Sequence, residues 1–495
     1  MRILLDTNIF IPLEDSSIDI DWTLTELNRI VSAKHQLLVH PATAEDLARD
    51  KNEERRRKIL ARLDKYPSLE FPPIFQDGEE EKLIGIPKKD NDRIDNLILL
   101  AVHRNCVHWL ITNDEGLHKK ARKIGEQERV LTVEQAINTL SKVDKEELTL
   151  YPSVKNVPCH TLDLKNPIFD SLRNSYDFDQ WFNEQCAKTG REAWICSDGT
   201  NIDALCIYKK EDDPIVTTEK KGLSGQVLKL CTFKVLKVGH KIGELLVKQA
   251  FNFAIENNMD HVYATVEPDK HGLLIELFTE FGFYEYGIDT KGRDIVFVKD
   301  FPKAFPITED NPLVYAIKYF PLLKITTNAA YLVPIQPQFH EILFPELKNI
   351  FQSDLFEDGP SPAGNTIKKA YLCNTNTSSI RAGDILFFYR TKDYMTLTSY
   401  GIVDQFYIES DSEKILQWVS KRTVYSNKEI QSMKGKAVKI ILFRLVGHFE
   451  NQIAFSKLKQ LKIVEGAIQS VTKISDFKIK TIINEAKLND RILSN

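Results

Sequence analysis

The sequence predicts a multidomain chain of α/β and α+β class, and three observations predict it. The 495 residues suggest about three domains of ordinary size. Short apolar runs alternate with helical patterns through the first two thirds, as α/β sheets require. The last third is richer in strand patterns, as at 384–389, 398–403 and 438–445. Pro152 and the prolines at 302, 306 and 312 mark the linkers between them. The expected boundaries are 1–145, 150–302 and 312–495.

Hydrophobic content of 42% and charged content of 27% are those of a soluble globular protein. No apolar run approaches the roughly 20 residues of a membrane span. The chain enters a strand at once, without a signal-peptide pattern. Seven cysteines at 106, 159, 186, 196, 206, 231 and 373 form no Cys-x-x-Cys motif. Free thiols in a reducing cytoplasm are expected. The net charge of −4 hides an asymmetry. Residues 312–495 carry 24 Lys+Arg against 17 Asp+Glu, while residues 1–311 carry 42 against 53. A basic third part suits nucleic-acid binding, and ordinary solvated charge explains the count equally well.

The first strand, Arg2-Ile3-Leu4-Leu5, ends in Asp6-Thr7-Asn8. Glu45 lies at a helix start after His40-Pro41. Asp95 opens the apolar helix that continues Asn96-Leu97-Ile98-Leu99. Asp92, three residues earlier, shares a helix face with it and is an auxiliary candidate. Asp114 closes a strand at Thr112-Asn113-Asp114. Parallel α/β sheets place their sites at the carboxyl ends of strands. A cluster of buried acids there needs neutralising, and a hard divalent cation with oxygen ligands does so. For any one of these acids alone, a helix cap or strand end is the simpler reading.

Together, in this order, they resemble the PIN domain, a family of metal-dependent nucleases that mostly cut RNA. The resemblance implies a parallel α/β sheet. It also implies one or two Mg²⁺ or Mn²⁺ ions at Asp6, Asp95 and Asp114, with Glu45 ligating the ion or orienting water. Asn8, Thr112 and Asn113 would fix that geometry. The run Arg55-Arg56-Arg57-Lys58 is either a phosphate grip or a solvated helix face.

In the middle part, a strand over 228–235 leads into Val238-Gly239-His240-Lys241-Ile242-Gly243 and then a helix. A glycine loop at a helix N-terminus cradles anions. A further strand over 260–266 and a helix ending Phe281-Gly282-Phe283 follow. The combination resembles the GNAT-fold acetyltransferases, with a mixed α/β sheet. Acetyl-CoA would lie along Phe233 and Val235, with its pyrophosphate at Val238, Gly239, His240, Lys241, Ile242 and Gly243. The loop departs from the family at Val238 and Lys241. Phe278 stands where a proton-donating Tyr is usual, so either another group such as His271, Tyr284 or Tyr286 serves, or acetyl transfer is slow or lost. Glu267 is a candidate base for an amine, or a solvated loop acid.

The last part contains Arg381-Ala382-Gly383-Asp384 before an apolar strand, and later Gly401-Ile402-Val403. It resembles a PUA-like β-barrel of the ASCH/EVE group. Such barrels bind RNA or modified bases, which implies contacts at Tyr389, Arg390, Trp418 and Arg422, alongside Arg55 and Arg56. Taken singly, Tyr389 and Trp418 read as core residues.

The expected function is a metal-dependent endoribonuclease acting on tRNA or another structured RNA, in a toxin-like or antiphage setting. Its acetyl-CoA-binding domain and RNA-recognition module would ride on the same chain, with no membrane partner. The alternative is an N-acetyltransferase for a protein, a small amine or aminoacyl-tRNA, with the PIN-like part as a positioning module. A third reading is a non-enzymatic reader of modified bases.

Overall fold

The computed structural model describes all residues except 1, 15–23, 25–26, 28–34, 50–51, 64–65, 70–71, 76–77, 144–153, 175–176, 198–200, 237–240, 270, 307–308, 326–327, 348–363, 365, 376, 420–421, 434 and 495. Only the backbone is described at 14, 54, 55, 58, 79, 80, 141–143, 174, 427, 428 and 494.

The first sheet is built by β1 (Arg2–Leu5), α1 (Thr7–Glu14), β2 (Gln36–Val39), α2 (Thr43–Leu47), α3 (Glu53–Leu63), α4 (Asp90–His103), β3 (Trp109–Ile111), α5 (Glu115–Lys123) and β4 (Val130–Leu131). Its order is β2-β1-β3-β4, every neighbour parallel. Ile3 and Leu5 pack into one apolar layer and Leu4 into the opposite one. Burial on both faces is why β1 reads as an unbroken apolar run. The chain leaves β1 for one side and returns to pair β3 on the other. The carboxyl ends of β1 and β3 therefore flank a topological switch point, where open α/β sheets form a crevice. Asp92 is a helix cap: its carboxylate accepts the Lys88 and Lys89 amides at 3.0 and 3.2 Å and starts α4.

The second sheet comprises β5 (Lys155–Pro158), β6 (Glu192–Ser197), β7 (Ile202–Asp212), β8 (Gln226–Val235), β9 (His261–Val266), β10 (Tyr284–Ile288) and β11 (Ile295–Asp300). Helix α6 (Ile242–Glu256) joins β8 to β9, and α7 (Gly272–Glu280) follows β9. The order is β10-β11-β9-β8-β7-β6-β5, antiparallel except for the pair β8–β9. Leu246, Val247, Ala250 and Phe251 of α6 and Phe278 of α7 pack with Leu228, Leu230 and Val262 to form its core.

In the third part, α8 (Pro312–Lys318) precedes β12 (Leu323–Ile325), β13 (Ala330–Ile335), β14 (Lys368–Cys373), β15 (Ile385–Arg390), β16 (Thr396–Glu409), β17 (Val438–Ala454), β18 (Thr472–Ile474) and β19 (Ile492–Ser494). Six of them form one mixed sheet, ordered β14-β17-β16-β15-β13-β18, while β12 and β19 pair separately. Among the described residues β14 and β18, the two edges, are not hydrogen-bonded to each other. Phe387 and Tyr389 enter one apolar layer, Leu386 and Phe388 another, so the sheet is covered on both faces.

Among the described residues, no helix is long and apolar enough to cross a membrane.

Candidate functional site

Asp6 follows the last residue of β1 and is 4% exposed. Its Oδ1 accepts the Thr7 amide at 2.7 Å and its Oδ2 accepts the Thr112 hydroxyl at 2.6 Å. Burial pushes the Asp6 carboxyl up to about 6; the two hydrogen bonds pull it down, and Asp114 and Asp46 push it further up. Asp95, half-buried in the second turn of α4, is pushed up to about 7 by burial and then by Asp6, Asp114 and Asp46, with Lys120 opposing. Four carboxylates from β1, α2, α4 and the end of β3 thus share one field at the switch-point crevice.

The surroundings hold this arrangement in place. Asp114 caps α5 by accepting the Leu117 amide at 2.8 Å, and its own amide donates to Thr112 Oγ1 at 2.9 Å. Asn8 Nδ2 donates to the same oxygen at 3.2 Å, and Asn8 Oδ1 accepts the Asn113 amide at 3.4 Å. Lys120 Nζ donates to Asn96 Oδ1 at 2.7 Å, and Asn96 is buried with its own amide group on the Gly85 carbonyl. The side chain beside Asp95 is therefore a positioned cation.

Two of these residues escaped the sequence reading. Asp46 joins the cluster, whereas Glu45, its expected member, is exposed and bonded to Arg93. Neighbours on a helix point about 100° apart, so only one of two consecutive acids can face a given point. The acidic pair 45–46 was visible, but its phase was not. Lys120 could have been suspected from its place six residues after Asp114.

Among the described residues, no group of three or more His, Cys, Asp or Glu side chains is placed to hold a metal ion. The donor chemistry nonetheless fits a hard cation. The cluster offers carboxylate oxygens without thiol or imidazole, and burial, followed by the neighbouring carboxylates, pushes two of its members up in pKa.

The second sheet contains a different feature. β8 and β9 pair only from Val227↔His261 to Leu230↔Ala264, although both strands run on. Cys231 is the extra residue of a bulge, because Tyr208 opposes Leu230 while Ile207 opposes Thr232. Beyond the bend β8 and β9 no longer pair, next to Phe233 and Val235. The Thr232 hydroxyl is buried without a hydrogen-bond partner among the described residues. Lys241 caps α6 in the left-handed region, at φ 58°, and burial followed by Arg422 pushes its ammonium down to about 7. Ile242 is buried in the core, and a Cβ on Gly243 would come within 3.2 Å of Leu277. Val238, Gly239 and His240 lie outside the described residues. Phe278 is fully buried, while the Tyr284 and Tyr286 hydroxyls donate to Asp300 and to the Gly222 carbonyl.

The expected nucleic-acid contacts of the third part are corrected. Tyr389 is 2% exposed and sits in the core. Arg390 is equally buried, with its guanidinium on Asp393 and Glu341. Arg422 reaches α6, where its Nη1 lies 2.9 and 3.1 Å from the Glu244 carboxylate. Trp418 stacks on Tyr407, ring centroids 4.3 Å apart. In the first part, Arg56 lies 3.9 Å from Glu53, and the Arg55 side chain lies outside the described residues. Apolar strand periodicity cannot separate a stacking platform from a core ring, which is why Tyr389 reads as either.

No protein-family model matches the sequence, and no curated protein does. Three solved structures are similar to parts of it. The ASCH protein of Zymomonas mobilis is 10% identical over 31% of this chain and 94% of its own, TM-score 0.24. An IAA acetyltransferase from Bacillus cereus is 13% identical over 30% of this chain and 97% of its own, TM-score 0.22. The PaiA N-acetyltransferase from Thermoplasma acidophilum, in complex with coenzyme A, is 12% identical over 30% and 99%, TM-score 0.22. Likeness at this level assigns no activity.

Proposed function

We propose that the chain is a divalent-metal-dependent ribonuclease acting at the Asp6, Asp46, Asp95 and Asp114 cluster. The observation that carries this reading is the convergence of four carboxylates at a switch-point crevice, two of them pushed up in pKa. Mg²⁺ or Mn²⁺ held by these oxygens would supply an activated water and neutralise charge in phosphodiester hydrolysis. Thr112 holds Asp6 and the Asp114 backbone in register through its one hydroxyl. Lys120 favours the ionised form of Asp95 and is a cation ready for a phosphate oxygen. Tyr389, Arg390 and Arg422 are spent inside the molecule, so contacts to tRNA or another structured RNA fall on other residues. We retain the three-domain division at 1–145, 150–302 and 312–495 as part of this reading.

The test is cleavage of total tRNA and of a single-stranded RNA with Mn²⁺, comparing the native chain with Asp6→Asn/Asp95→Asn. Metal-dependent cutting that the double variant loses supports the proposal. Equal behaviour of the two proteins refutes it.

A second reading is favoured by the parting of β8 and β9 beyond Leu230: an acyl-CoA ligand, as in an N-acetyltransferase for a protein, small amine or aminoacyl-tRNA. Backbone groups of β8 beyond Leu230 lack a β9 partner, and buried backbone groups demand one. Those groups, Thr232 and the start of α6 would hold a pantetheine arm and its phosphates. The thioester would be the acyl donor, but Phe278 offers no proton to the departing thiolate. Calorimetry with CoA decides whether it binds there.

A further inference from the structure

Helix α6 turns one face toward the third part of the chain. Lys248, Asn252, Ile255 and Glu256 fall at the spacing of a single helix face. Across from them lie residues 447–450 of β17 and the turn that leads from the helix Asp476–Glu485 into β19. Between these walls is a cavity of about 420 Å³. Small-molecule sites have this size and form preferentially where two domains meet. Phe251, Ile255, Phe320, Leu445 and Leu488 make one side of it apolar.

Tyr400 of β16 borders the cavity and is only 3% exposed. Its strand partner on β17 is Gly447, where a Cβ would stand 2.8 Å from the phenol oxygen. Glycine there lets the ring lie across its neighbour. The phenol hydroxyl has no hydrogen-bond partner among the described residues. A buried hydroxyl is costly to leave unpaired. Burial pushes the Tyr400 pKa up, Arg491 opposes the rise, and Asp490 and Glu450 add to it. A guanidinium and two carboxylates thus act on the same oxygen.

Other charges around the cavity are already matched. Lys248 pairs with Glu346, and His448 Nε2 lies 3.7 Å from the same carboxylate. His448 Nδ1 is 2.9 Å from Ser399 Oγ. Arg491 Nε and Asp490 Oδ2 stand 3.9 Å apart, too far for a hydrogen bond. Glu450 and Lys487 form no ion pair among the described residues. Charge of both signs is therefore available beside an unpaired hydroxyl and an apolar wall.

We propose that this cavity binds a small zwitterion with an apolar side chain, a free α-amino acid of about the size of phenylalanine. Its carboxylate takes the Arg491 guanidinium and the Tyr400 hydroxyl, which thereby gains an acceptor. Its ammonium takes Glu450 and Asp490. Its side chain leaves water for the wall of Phe251, Ile255, Phe320 and Leu488. A ligand of single charge would satisfy one sign and leave the other facing it. The site depends on neither RNA cleavage nor acyl transfer.

The experiment is calorimetry on the full chain with L-phenylalanine, phenethylamine, 3-phenylpropionate and glycine. The last three lack, in turn, the carboxylate, the ammonium and the apolar side chain. L-phenylalanine is expected to bind, and each of the others to bind about tenfold more weakly or worse. Tyr400→Phe, which removes only the hydroxyl, should weaken L-phenylalanine severalfold. Glu450→Gln, at an exposed position, should weaken L-phenylalanine and leave 3-phenylpropionate no weaker. Asn252→Trp, on the exposed face of α6, fills the cavity from its rim and should abolish binding; it serves if circular dichroism shows Tyr400→Phe misfolded. No heat from L-phenylalanine overturns the proposal. So does equal affinity for phenethylamine or 3-phenylpropionate, or full binding in Asn252→Trp.

Discussion

The Thr112 hydroxyl donates to Asp6 Oδ2 at 2.6 Å across the gap between β1 and the end of β3. The same oxygen accepts the Asp114 amide, so one side chain sets the spacing of two acids. Thr112→Val removes a hydrogen bond that lowers the Asp6 pKa. The carboxyl then rises above about 6, and Mn²⁺ affinity below pH 7 falls severalfold, while Thr112→Ser retains it. Titrations of Mn²⁺ between pH 5.5 and 8 read the difference.

The raised acids give the metal-free protein a pH-dependent stability. Their folded-state pKa values, about 6 for Asp6 and about 7 for Asp95, exceed the unfolded value of 3.8. The native state therefore holds protons more tightly, and stability falls as pH rises from about 4 to 7. For buried Asp6 the loss is about 2–3 kcal/mol at pH 8. Thermal melts of metal-free protein should drop across this window. Asp6→Asn/Asp95→Asn should flatten the dependence, and Mn²⁺ should restore stability most at high pH.

Consecutive acids on α2 should behave differently. Asp46→Asn should weaken Mn²⁺ binding by about tenfold, the scale of one lost charge interaction of ~1.4 kcal/mol. Glu45→Gln, which only releases Arg93 at an exposed site, should change it less than about threefold.

The Arg422–Glu244 contact joins residues 178 positions apart, and Glu244 also accepts the Ile367 and Lys368 amides at 2.7 and 2.8 Å. Arg422→Met leaves that buried carboxylate uncompensated and should cost about 3–5 kcal/mol in urea unfolding. Adding Glu244→Gln, which keeps the acceptor but removes the charge, should recover a large part. Neither change should alter RNA affinity if Arg422 is a structural residue.

Local pattern by itself determined where Asp6, Asp95 and Asp114 fall, because strand ends and helix starts are written in neighbouring residues. The same pattern announced the β8 strand, the α6 turn and the buried face of α4. Tertiary structure decided the rest. Which of Glu45 and Asp46 faces the cluster depends on how α2 is rotated against β1 and α4. Whether Tyr389 stacks on a base or fills a core depends on a second apolar layer supplied by residues such as Phe455 and Leu458. Arg422 looks like a phosphate contact until the fold brings Glu244 to it. Charge and aromaticity are properties of a residue, but burial and partnership belong to the packed chain, where distant segments set the cost of leaving each group alone.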